Sequence, residues 1–281
     1  MTFRLASIGG RAALVLGDHH FDLEACSGGE LGPDPMAAVA AHRRLHEIAT
    51  GLPDGEPSGA LADAVLDAPV PRPVNVFGIG LNYRSHVAES GLGGGDDPVA
   101  PVVFTKFPSC ICAPGSDVAL EGDSVDYEAE LVVVIGTGGK DIAAADAWDH
   151  VAGVTGGQDI SDRALQFAAR PPHFDLGKSR DTYGPIGPVL VSPDAFDDPD
   201  DIALTCEVNG ERRQRGSTAD MIFSVPALVA YLSSILTLRP GDLVFTGTPD
   251  GVGMATGNLL VPGDVITTTI EGVGTFTNRC V

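Results

Sequence analysis

The segment Asp126-Tyr127-Glu128-Ala129-Glu130 runs straight into Leu131-Val132-Val133-Val134-Ile135. Alternate residues of a strand point the same way, so this pattern projects Glu128 and Glu130 from one face. Two like charges at the edge of an apolar strand repel, and a carboxylate buried without a partner costs on the order of several kcal/mol. They either stand in water or share a cation. Ligation by oxygen alone suits the hard ions Mg²⁺, Mn²⁺ or Ca²⁺ and not zinc.

A third carboxylate, Asp159, closes the turn Gly156-Gly157-Gln158, with Arg163 and Gln166 four and seven residues later. If a helix starts here, the spacing sets all three on one face. Asp159 is then either a ligand or the cap of that helix, since Asp is common before a helical run. In Asn82-Tyr83-Arg84-Ser85-His86-Val87-Ala88-Glu89, His86 and Glu89 lie three apart and meet on one helical turn. A carboxylate that orients an imidazole makes a general base near neutral pH; the plainer alternative is a surface ion pair. The glycine-rich tract at 91–95 gives the turn the character of a mobile lid.

The elements that must position these groups are mainly strands. Short β-branched runs separated by Gly, Pro and Asp occupy 74–78, 102–107, 130–135, 189–192, 202–208, 242–246, 264–270 and 274–279, which predicts a largely antiparallel β architecture with few helices. The clearest helix begins at Ser224, has Pro226 in its first turn, sets Leu228, Val229, Leu232, Ile235 and Leu236 on one face, and stops before Pro240-Gly241. Residues 1–70 read as a small N-terminal α+β unit with one amphipathic helix at 35–50, on which His42 and His46 share a solvated face. Pro69, Pro71 and Pro73 form a stiff linker to the larger domain, 71–281.

Of 281 residues, 43% are hydrophobic, enough for a full core without covalent staples. The five cysteines, an odd number widely spread, are expected to be reduced; Cys110 and Cys112 read as two buried thiols. A net charge of −21 argues against nucleic acid or an anionic membrane as partner. With no signal-like start and no run of about 20 apolar residues, a cytoplasmic location is expected. An anionic substrate would need a local inversion of that field, which a metal with a few placed Lys or Arg supplies.

Three common sites are missing. Gly78-Ile79-Gly80 is followed by Tyr83 where a dinucleotide fingerprint needs glycine. Gly177-Lys178-Ser179 lacks the glycine five residues earlier, where Pro172 stands. No Gly-x-Ser-x-Gly nucleophile elbow is present.

Taken in order, the motifs resemble the fumarylacetoacetate hydrolase family over residues 74–281. They are Gly80-Leu81-Asn82-Tyr83 with His86 and Glu89, Phe104-Thr105-Lys106-Phe107-Pro108-Ser109, Tyr127-Glu128-Ala129-Glu130-Leu131, Gly157-Gln158-Asp159-Ile160-Ser161 and Leu176-Gly177-Lys178-Ser179. Asn209-Gly210-Glu211, Asp220-Met221-Ile222-Phe223-Ser224 and Thr246-Gly247-Thr248-Pro249-Asp250-Gly251-Val252-Gly253 follow. The resemblance implies a mixed β-sandwich roll, a homodimer, and Mg²⁺ or Mn²⁺ held by Glu128, Glu130 and Asp159. It also implies substrate contacts from Tyr83, Arg163, Gln166, Lys178 and Thr248, with His86 and Glu89 as a lid dyad. Many relatives carry an acidic residue where this chain has Ala164, and alanine where it has Asp162, a departure that bears on the substrate.

The implied chemistry is cleavage of a carbon–carbon bond in an acylpyruvate-type 2-oxo carboxylate, Lys178 acting beside the His86 and Glu89 pair. The same metal site would serve oxaloacetate decarboxylation, isomerisation of a dienoate or dehydration of a 3-deoxy sugar acid, since a fold does not select among them. A catalytically silent metal-binding protein is the alternative from another class.

Overall fold

The computed structural model describes residues 2–90 and 97–281; the glycine-rich tract expected to belong to a lid lies outside them. The architecture is mostly β with a few helices, built on one large mixed sheet. Its central strand, Ala129–Ile135, is buried at every position, as an unbroken β-branched run requires. On one side it pairs antiparallel with Val151–Gln158, then Gly184–Val191. On the other it pairs antiparallel with Leu243–Phe245, which pairs parallel with Val76–Gly80.

A second, four-stranded antiparallel sheet holds Glu211–Ser217, Ala203–Val208, Val265–Ile270 and Gly274–Arg279. It packs on the large sheet where glycines leave room. A Cβ at Gly156 would come within 2.9 Å of Ile270 Cγ1 and 3.0 Å of Phe276 Cε1. The strand Val151–Gln158 therefore tolerates three glycines because neighbouring atoms fill the space of their missing side chains, and for the same reason the sequence pattern did not reveal it. The hydrophilic strand Glu211–Ser217 was likewise not expected.

The predicted helix is present as Val225–Ile235, with Val225, Leu228, Val229 and Leu232 buried. The amphipathic stretch at 35–50 divides into two helices, Pro35–Ala40 and His42–Gly51. Here the expectation for His42 is corrected: it is 5% exposed, not solvated, and packs against Gly136 in a gap that a side chain there would fill. His46 stacks edge-on against Phe3, with ring centroids 4.8 Å apart. The first strand, Arg4–Ile8, pairs antiparallel with Gly184–Val191, so the N-terminal strands extend the large sheet by direct hydrogen bonding. Among the described residues no helix is long and apolar enough to cross a membrane.

Candidate metal centre and its cavity

Glu128 lies immediately before the central strand and Glu130 within it, one residue apart on the same face. The neighbouring strand ends at Gln158, and the next residue is Asp159, whose amide donates to the Glu128 carbonyl at 2.8 Å. Gln158 closes the pairing from its side chain: Oε1 accepts the Glu128 amide at 3.0 Å, while Nε2 donates to Thr268 of the second sheet at 2.8 Å. The result is three buried carboxylates, each offering an oxygen within 4.8 Å of the others.

Three buried cations answer this charge. Lys178 Nζ donates to Glu128 Oε2 at 2.5 Å and to Asp159 Oδ2 at 2.7 Å. Lys106 Nζ donates to Asp159 Oδ1 at 2.6 Å and to the carbonyls of Lys178 and Tyr183. Arg163 spans Glu128 Oε1, at 2.6 Å from Nη2, and Asp126 Oδ2, at 2.9 Å from Nε. Burial alone would raise the Glu128 carboxyl, but Lys178 and Arg163 override it and hold the group below the usual carboxylate range. Burial would lower Lys178, and Asp159 with Glu128 reverse that and raise it.

Glu130 is treated differently. Oε2 accepts the Gly247 amide at 2.8 Å, yet among the described residues no cation stands within ion-pair distance of it. Burial, then the charges of Asp159 and Glu128, push its carboxyl well above the ordinary value. Four buried carboxylates, counting Asp126, thus face three buried cations, and the deficit falls at Glu130. A hard divalent ion among Glu128, Glu130 and Asp159 fits this donor set in charge and ligand type. The three residues could hold one.

The carboxylates form the floor of a small cavity of about 80 Å³ that His86, Arg163, Gln166, Lys178 and Thr248 also line. His86 and Glu89 lie on the helix Arg84–Ser90, with Nδ1 and Oε2 3.4 Å apart. The other Glu89 oxygen accepts the Gly251 amide at 2.9 Å and so ties this helix to the Thr246–Gly253 loop. Gln166 Oε1 accepts from Arg163 Nη1 at 3.0 Å, and Gln166 lines the cavity. The Thr248 hydroxyl donates to the Ala129 carbonyl and accepts from Gln214, both at 2.8 Å, so an acceptor lone pair remains. Tyr83 is placed otherwise than expected: it is fully buried, outside the cavity lining, and its hydroxyl lacks a partner among the described residues.

The route by which Asp159, Arg163 and Gln166 converge also differs from the helical spacing argument. The helix is only Arg163–Gln166, and Asp162 caps it by accepting the Leu165 amide at 3.1 Å. Asp159 belongs to the strand end, so the capping alternative passes to Asp162. Asp162 also pairs with Arg180 at 2.9 Å, and Ala164 is exposed, so neither departure from the family pattern lines the cavity.

Two residues were not singled out from sequence. Asp126 accepts the Gly253 amide at 2.7 Å and the Met254 amide at 2.9 Å besides Arg163, which fixes the guanidinium from behind. Lys106 carried a signal, a lysine between Phe104 and Phe107 just after the strand Val102–Thr105, because a buried lysine demands a carboxylate.

The profile of the fumarylacetoacetate (FAA) hydrolase C-terminal family matches residues 75–281. Oxaloacetate tautomerase YisK of Bacillus subtilis (strain 168) is 43% identical over 249 residues, 86% of this chain and 82% of that one. Among solved structures, maleylpyruvate hydrolase from Sphingobium sp. SYK-6, in complex with manganese(II) and pyruvate, superposes with TM-score 0.81 at 30% identity, covering 99% of this chain and 98% of that chain. The 2-hydroxyhepta-2,4-diene-1,7-dioate isomerase from Mycobacterium marinum gives TM-score 0.75 at 32% identity, covering 99% and 98%. The chain belongs to the fumarylacetoacetate hydrolase family and is an enzyme of it, in a family whose matched members are named as hydrolase, isomerase and tautomerase.

Proposed function

We propose that this enzyme is a divalent-metal-dependent hydrolase that cleaves a carbon–carbon bond in an acylpyruvate-type 2,4-dioxo carboxylate. The observation that carries the reading is one cavity lined by the three carboxylates and by His86, which Glu89 meets from outside the lining at 3.4 Å. Glu128, Glu130 and Asp159 would hold Mg²⁺ or Mn²⁺, which would supply a Lewis acid for the 2-oxo carboxylate end. Manganese in the related hydrolase supports that choice. Arg163 and Lys178 then neutralise the remaining anionic oxygens, and the Gln166 amide donates to one of them. His86, oriented by Glu89, takes a proton from the water that attacks the distal carbonyl, and returns it to the departing carbon.

A second reading has its own support. Identity of 43% to an oxaloacetate tautomerase favours proton transfer at the carbon beside the 2-oxo group, which His86 could perform with no water attack. The test is a panel of acylpyruvates, oxaloacetate, 2-oxo-dienoates and 3-deoxy sugar acids with Mg²⁺ or Mn²⁺, read by product identity. Cleavage of an acylpyruvate to pyruvate and a carboxylic acid is the expected result. Undiminished activity in excess chelator, or enol–keto exchange with no cleavage, would refute it.

A further inference from the structure

The cavity is divided by polarity. Its floor carries the carboxylates with Lys178 and Arg163, while its remaining wall is made chiefly of Ile79, Leu81, Phe104, Phe167, Phe174 and Met254. The direction of the wall follows from its contacts. Lys178 Nζ lies 5.1 Å from the Phe104 ring, Phe104 stacks edge-on against Phe174 at 5.6 Å, and Phe174 against Phe167 at 6.3 Å. Exposure rises along the same path, from 9% at Phe104 to 43% at Phe167, with Met254 at 47%. The rings thus lead from the charged floor to the mouth.

We propose that this wall receives the acyl end of the substrate, and that the enzyme selects 2,4-dioxo acids with a single carboxylate and an apolar alkyl or aryl acyl group. The inference rests on the reading that a 2-oxo carboxylate binds over the carboxylate triad. Lys178 and Arg163, which line the cavity, are then committed at the floor, and a second carboxylate at the far end would meet aromatic and aliphatic groups with no Lys or Arg among the described residues to replace its water. Residues 91–96 read Gly-Leu-Gly-Gly-Gly-Asp and carry no positive side chain, so they cannot supply one. A net charge of −21 also opposes entry of a dianion. Leu81 adds evidence that the wall is built for the purpose. Its φ of 54° is a left-handed conformation that branched side chains rarely adopt. Next to it the Asn82 side chain bonds to Thr246 and Phe223 at 2.8 and 3.1 Å and so holds the turn that carries it.

Two matched comparisons on the Mn²⁺-loaded enzyme test this. The first is kcat/KM for a pair of acylpyruvates that differ only in a terminal group, isopropyl in one and carboxylate in the other. The second is binding, by competition and thermal shift, of the non-cleavable pair 5-methyl-2-oxohexanoate and 2-oxoglutarate, which differ by the same exchange. The apolar member should be favoured at least about tenfold in each, as expected when a charged group meets a site without a partner. Phe167→Arg, at the exposed end of the wall, should move both ratios toward the carboxylate by a similar factor. If neither acylpyruvate is cleaved but the binding preference holds, the hydrolase reading fails and the apolar acyl wall stands. Equal or tighter binding of 2-oxoglutarate, or an unmoved ratio in Phe167→Arg, would overturn the wall assignment.

Discussion

The Asp159 amide donates to the Glu128 carbonyl at 2.8 Å, so two carboxylates distant in the chain adjoin just beyond the ends of two paired strands. Glu130 follows one pleat further along. The three differ in what surrounds them among the described residues: Glu128 pairs with Lys178 and Arg163, Asp159 with Lys178 and Lys106, and Glu130 with a backbone amide and no cation.

That difference separates two substitutions. Glu128→Gln and Glu130→Gln should both abolish activity and the rise in Tm produced by Mn²⁺. In metal-free protein they should diverge. Glu128→Gln leaves Lys178 and Arg163 short of a counter-charge and should cost about 3–5 kcal/mol, the range for breaking a buried pair from one side. Glu130→Gln removes a buried carboxylate without a cation, and stability should hold or rise. Thermal denaturation of both variants with and without Mn²⁺ checks this; equal losses in the metal-free state would show that Glu130 has a stabilising partner.

His86 should divide the reactions the site could support. Hydrolysis needs an activated water, whereas loss of CO₂ from oxaloacetate needs an electron sink and no attacking water. His86→Ala should therefore lower acylpyruvate hydrolysis by roughly 10²- to 10⁴-fold, and leave metal-dependent decarboxylation within about tenfold. Glu89→Gln should show the same bias more weakly, since glutamine can still accept the Gly251 amide. Steady-state kinetics of both reactions measure it, and matching losses would reduce the pair to a role in closing the site.

Asp126 is a positioning residue, acting through Arg163. Asp126→Asn should raise KM for the 2-oxo acid about tenfold, with a smaller change in kcat, because an amide loses the charge that fixes the guanidinium. Arg163→Lys should raise KM at least as much, since one ammonium cannot span Asp126 and Glu128 as the planar fork does. A change confined to kcat in Asp126→Asn would assign the residue to the chemical step.

Burial holds the His42 imidazole below its ordinary 6.5, and the neighbouring Arg43 and His46 add to the effect. A lowered folded value means that the unfolded chain takes up the proton first. The stability His42 contributes is therefore intact above about pH 6.5 and is lost as pH falls below it. His42→Leu should flatten the fall of Tm between pH 7 and pH 5 relative to wild type. Parallel curves through that window would show that His42 charges without cost.

The sequence by itself determined the groups with the strongest local signals. Glu128 and Glu130 were readable as a same-face pair because strand alternation is a local rule and the apolar run after them fixes the strand. The helix Val225–Ile235 was readable from its cap and its stripe of leucines and valine. Strand-rich architecture followed from β-branched runs between turn residues, except for Val151–Gln158 and Glu211–Ser217. What made Val151–Gln158 a strand is packing supplied from elsewhere: a Cβ at Gly153 would lie 2.5 Å from the Val191 carbonyl.

Only the tertiary structure decided which charges answer which. No local rule brings Lys106 to Asp159, Asp126 behind Arg163 or Gln158 against Thr268, because each contact depends on strand pairing and loop placement between distant segments. It also gave the helix cap to Asp162 and freed Asp159 for the site, and it turned His42 inward although helical spacing allowed a solvated face. Residue type sets what a group can do. Burial and the nearest counter-charge, both non-local, set whether it does so as ligand, cap or core.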